Sequence, residues 1–162
     1  MKTFNTIFII ILMLGASFLL IQNLLGRRKH IPKSRLSDQQ KQHLTQYGLL
    51  HFTTPESAKM ILVEKTIRCG TGSRLYYGVK NYTWYVPCTE PINSAYIERW
   101  FREICKMRPN ATICIHITID ETCSYDEFLT NKISNHMAHI GDLNGIITAY
   151  NNVNGVWTVW NE

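Results

Sequence analysis

The sequence lacks the usual signatures of a metal site or a disulfide framework. Its five cysteines, Cys69, Cys88, Cys105, Cys114 and Cys123, form no Cys-x-x-Cys pair, and their spacings of 19, 17, 9 and 9 match no zinc pattern. An odd number of such thiols suits a reducing compartment, where they stay free. Internal repeats and low-complexity segments are also missing, which excludes a solenoid or an array. Charge is sparse outside one cluster. The net charge of +5 comes largely from Arg27, Arg28, Lys29, Lys33 and Arg35, so the rest of the chain is near balance and a nucleic-acid-binding surface is not expected.

What the chain does have in quantity is apolar sequence at its start. From Ile7 to Leu25 the run IFIIILMLGASFLLIQNLL carries no charge, and its length is close to the ~20 residues a helix needs to cross a bilayer. A cleaved signal peptide is the competing reading, but its apolar core is shorter, roughly 7–15 residues. The expected organisation is a transmembrane anchor over 1–25, a basic juxtamembrane linker over 26–36 and a globular domain over 37–162. The bilayer is the expected partner of residues 7–25, and anionic headgroups of Arg27, Arg28 and Lys29. Positive charge after the span and little before it places the C-terminal domain in the cytoplasm, as a single-pass membrane protein. The opposite orientation would make the Asn81 and Asn110 sequons relevant and allow two disulfides.

Local signals then predict the elements. Ser37-Asp38-Gln39-Gln40 reads as a capping box opening a helix that Gly48 stops. Leu49 to Thr53 reads as a strand, and Thr53 or Thr54 caps a second helix with Pro55 in its first turn. The stripe Ile97, Trp100, Phe101, Ile104 and Cys105 predicts a helix packed on a sheet. Thr112 to Asp120 alternates strictly, with isoleucines on one side and Cys114, His116 and Asp120 on the other, a semi-polar face suited to lining a cleft. The segment 126–133 reads as helical. The tail reads as a hairpin, IITAY and VWTVW around NNVNG. Together these give an α+β fold: an N-terminal transmembrane helix followed by one small domain of short, mostly antiparallel strands and segregated helices.

Three histidine settings carry candidate chemistry. If Leu50 and Phe52 face the core, His51 and Thr53 face the other way, just before a helix N-terminus. Such a pair suits a polar, sugar- or phosphate-bearing ligand. From pattern alone, a surface or hydrogen-bonded packing histidine is the commoner explanation. His116 and Asp120 share a strand face and could form an acid–base pair, with a structural pair as the plainer reading. His136 and His139 have the His-x-x-His spacing of a metal-binding helix, with no third ligand evident.

The pieces LLHFTT, SAKMIL and KTIRCG, in that order over residues 48–70, resemble the opening of the ADP-ribosyltransferase superfamily, in its His-Tyr branch with the poly-ADP-ribose polymerases and bacterial toxin domains. The resemblance implies NAD as cofactor, with His51 and Thr53 on the adenosine ribose. It implies a tyrosine stacked on the nicotinamide: Tyr85, with Tyr77 and Tyr82 as rivals. It implies an acidic residue on a later strand, for which Asp120 and Glu121 are the candidates beside Glu162. The catalytic set so implied is His51, Tyr85 and Glu121. No Gln-x-Glu or Glu-x-Glu motif is present. The implied function is transfer of ADP-ribose from NAD to a protein or nucleic-acid acceptor. The alternative is a non-enzymatic, membrane-tethered interaction module, as would suit a phage, viral or host-interaction protein.

Overall fold

The computed structural model describes residues 36–70, 81–120, 123–130 and 136–161. Its first helix, α1 (Asp38–Tyr47), opens on the expected capping box. The Ser37 hydroxyl accepts from Gln40 N–H, and the Gln40 side chain accepts from Ser37 N–H. Gly48 ends it at φ +74, where a Cβ would lie 2.2 Å from the Ile117 carbonyl oxygen, so only glycine fits. The chain passes directly into β1 (Leu49–Thr53). Thr54 then caps α2 (Pro55–Glu64), accepting from Ser57 N–H with Pro55 in the first turn. After β2 (Thr66–Ile67) come β3 (Tyr82–Pro87), α3 (Ser94–Cys105) and β4 (Ile113–Thr118). A 3-10 turn, Tyr125–Glu127, leads to β5 (Phe128–Thr130), and then β6 (Met137–Ile140), β7 (Leu143–Asn144), β8 (Ile146–Val153) and β9 (Val156–Val159) complete the chain.

Seven strands make one antiparallel sheet in the order β5-β6-β3-β1-β4-β8-β9, and β2 pairs with β7 in a small second sheet. The long ladders are β1 with β4 and β4 with β8, so β4 is an interior strand paired along both edges, and the two cores cover its two faces. On one face Leu49, Ile113, Ile115 and Ile117 pack with Ala58 and Ile61 of α2 and Leu44 of α1. On the other, Leu50, Phe52, Cys114 and Trp157 pack with Tyr96 and Ile97 of α3. The α3 stripe thus covers the sheet as its periodicity predicts. Phe52, Phe101 and Trp157 meet edge-on or tilted at 5.1 to 6.3 Å, a geometry that aromatic quadrupoles favour. Glu98 fixes the helix to the terminal hairpin. Its Oε2 accepts from Trp157 Nε1 at 2.8 Å and from Asn152 Nδ2 at 3.3 Å, while Oε1 pairs with Arg102. Ser94 Oγ accepts from the Trp157 backbone N–H at 2.8 Å. The hairpin turns on Asn154 and Gly155, both at positive φ, which matches the twist of the flanking strands.

Three expectations are corrected. A transmembrane helix does not lead the described fold: among the described residues no helix is long and apolar enough to cross a membrane. The longest, α3, has 12 residues, or about 18 Å of rise against the ~30 Å of a bilayer core. The apolar run 7–25 and the cluster Arg27, Arg28 and Lys29 lie outside the described residues. The helices also cover both faces of the sheet. The helix expected from 126 onward is a short turn followed by β5. Phe128 and Leu129 are both buried, and pairing of Phe128 with His139 and Leu129 with Ala138 decides the conformation.

Candidate functional site

β1 is paired on both sides only at its start. Leu49 and Leu50 ladder with Pro87 and Val86 of β3. Beyond them β3 turns to β6, pairing Tyr82 through Tyr85 with Ile140 through Met137, while β1 stays with β4. The strands therefore part at His51. Its Nδ1 donates to the Trp84 carbonyl at 3.1 Å, so the imidazole bridges the fork where a backbone pair has been lost. A carbonyl only accepts, so the proton sits on Nδ1 and Nε2 keeps its lone pair. Burial pushes the His51 pKa down to about 4, the Trp84 bond opposing and the Arg108 charge adding to the shift, so the ring is neutral at pH 7.

A cavity of about 810 Å³ opens at this fork. Its walls are Ser57, Met60, Ile61 and Glu64 of α2, Thr66 and Arg68 after it, and Tyr82, Thr83 and Trp84 of β3, with Thr53 beside His51 and Arg108 exposed at the rim. Glu64 is held by Arg68 through two contacts at 2.8 and 2.9 Å. A more apolar chamber of about 450 Å³ shares His51, Trp84 and Arg108 and adds Phe52, Tyr85, Ile104 and Met107. Its walls suit a flat ring, and the first cavity suits a polar chain.

The fold brings Tyr85 to His51, their rings 5.5 Å apart, and Thr53 lines the first cavity with His51 but does not share a cavity with Tyr85. Tyr85 is 1% exposed and its hydroxyl makes no hydrogen bond of good geometry among the described residues; burial pushes its pKa up. It backs the histidine, and Tyr82 and Trp84 line the cavity instead. Asp120 is not brought in. It lines a different cavity, with Glu127, His139 and Asp142. Glu121, Tyr77 and Glu162 lie outside the described residues.

The other histidine readings change with the fold. His116 does not meet Asp120: its Nε2 donates to the Tyr47 carbonyl at 2.9 Å, sealing the end of α1. The expected semi-polar cleft face of β4 is covered, with Cys114 fully buried. His136 lies immediately before strand β6 and His139 within it, rather than on a helix. No group of three ligating side chains occurs among the described residues. Sequence reasoning missed Trp84, Glu64 and Arg108, which reach the cavity only through tertiary packing. Compared with known protein families, with curated proteins and with solved structures, the chain matches none.

Proposed function

We propose that the fork between β1 and β3 binds NAD or a closely similar dinucleotide. The observation that carries this reading is a neutral histidine, fixed by a backbone carbonyl, in the wall of a cavity large enough for such a ligand. In this reading His51 Nε2 accepts from a ribose hydroxyl and Thr53 supports it. Arg108 at the rim attracts the phosphates, and the Trp84 chamber takes a ring. ADP-ribose transfer to a macromolecular acceptor would need a carboxylate near the ribose carbon, because departure of nicotinamide leaves positive charge there. Glu64 is the carboxylate that lines this cavity.

Calorimetric titration of the full chain with NAD, beside His51→Ala, tests the binding step. Saturable binding lost in the variant supports the reading, and no binding by the unsubstituted protein sinks it. Release of nicotinamide, measured with and without Glu64→Gln, then separates binding from transfer. A second reading, a non-enzymatic interaction module, is favoured by the separation of Asp120 from His51. It gains if NAD does not bind.

A further inference from the structure

The two cavities at the fork lie on opposite faces of the sheet. The first is walled by α2, which packs in the core of Leu49 and Ile115. The apolar chamber is walled by the end of α3, which packs in the core of Leu50 and Phe52. His51, Trp84 and Arg108 line both. The two differ in charge. The first holds a carboxylate, Glu64, and the chamber holds none. Its two histidines, His51 and His136, have their pKa values lowered by burial, so Arg108 is its charged lining residue. The Arg108 guanidinium has no hydrogen-bond or ion-pair partner among the described residues. A ring that enters the chamber therefore meets one uncompensated charge, and that charge is positive.

We propose that the chamber takes a neutral purine, so that an adenine nucleotide binds there by itself, with its phosphate toward Arg108, and competes with the dinucleotide. The proposal deepens the dinucleotide reading and rests on it for the orientation of NAD. That molecule has one neutral ring, adenine, and one cationic ring, nicotinamide. A cation moved from water to apolar walls loses its hydration, and beside an unpaired guanidinium it finds no counter-charge. Aromatic faces attract cations, so Phe52 and Trp84 act in the opposite direction. Arg108 tips the balance, because its charge repels the pyridinium and attracts the phosphate. The nicotinamide then goes to the α2 face, where the Glu64–Arg68 pair carries no net charge. The resemblance to the ADP-ribosyltransferases implies the reverse, nicotinamide beside Tyr85, and Tyr85 lines the chamber.

The test is calorimetric titration of the full chain with AMP, with nicotinamide mononucleotide and with its reduced form. The last two differ by a hydride and by the charge on the ring. AMP and the reduced nucleotide are expected to saturate the protein, each about tenfold more tightly than the oxidised nucleotide. Met107 lines the chamber and is 68% exposed, so Met107→Glu adds a carboxylate there without disturbing the core. It is expected to weaken AMP and strengthen the oxidised nucleotide. Arg108→Gln is expected to weaken AMP most, which narrows the same preference. Absence of saturable AMP binding overturns the proposal, as does equal binding of the oxidised nucleotide, or a preference unchanged in both variants. AMP binding with this pattern, in a protein that does not bind NAD, sinks the dinucleotide reading and leaves the purine site standing. NAD binding without AMP binding does the opposite.

Discussion

His51 and His116 sit on neighbouring strands and do the same elementary thing. Each is partly buried, each has its pKa pushed down by burial, and each donates one N–H to a main-chain carbonyl. They differ in what the carbonyl belongs to. Tyr47 is the last residue of a helix, its carbonyl left over by the geometry of the helix end. Trp84 lies where two strands have separated, beside a cavity. His116 closes a seam, and His51 holds one open. An imidazole on a sheet becomes available to a ligand when the ladder beside it fails.

The largest effect is expected on the closed side. Gly48→Ala places a Cβ against the Ile117 carbonyl and beside His116 Nε2 at a backbone conformation alanine avoids. A loss of about 3 kcal/mol or more is expected, read as a thermal midpoint lowered by about 10 °C or more. A change below about 1 kcal/mol would show that the seam is loose.

The next effect separates the two histidines by pH. A histidine whose folded pKa lies below its unfolded value binds fewer protons when folded. Its contribution is present above about 6.5 and lost as the pH falls toward about 4. For His51 the full span is about 3 kcal/mol. His51→Gln is expected to flatten the decline in stability between those values, measured by denaturant unfolding at several pH values. Other buried histidines and paired carboxylates decline in the same direction, so the difference between the two proteins is the readout. Parallel curves would show that His51 is solvated.

A smaller loss, about 1–2 kcal/mol, is expected for Glu98→Ala, which removes the acceptor shared by Trp157, Asn152 and Arg102. NAD binding at the fork should survive it, because Glu98 lines neither of the two cavities there. The smallest effect is expected for Arg108→Ala. Removing that charge raises the His51 pKa slightly, seen as an upward shift of its NMR titration, with stability nearly unchanged. A downward shift would place the arginine elsewhere.

Local chemistry made parts of this molecule legible. The Ser37 box, a helix start at Thr53 or Thr54 with Pro55, the α3 stripe, the isoleucines of β4 and the terminal hairpin each follow from contacts within a few residues, although the hairpin turns on Asn154-Gly155 alone and Asn151 to Val153 of the expected turn belong to β8. The side on which His51 and Thr53 lie was legible for the same reason. Alternation fixes it once Leu50 and Phe52 are placed. The sheet order was not legible, because nothing in β1 says that its partners are β3 and β4. The turn at Tyr125 and strand β5 were misread because Phe128 and Leu129 show no strand period, and their conformation is imposed by β6. Trp84 enters the site through its backbone oxygen, which any residue could supply, and so no side-chain pattern announces it.

The bond from the Trp157 N–H to Ser94 has a consequence beyond docking α3. β9 is the outer strand of the sheet, and Val156 and Val159 on it are exposed. An outward-pointing amide on such a strand is where another chain would begin to add an eighth strand. The hydroxyl at the start of α3 takes that donor before a stranger can, so the helix that covers the sheet also limits its growth.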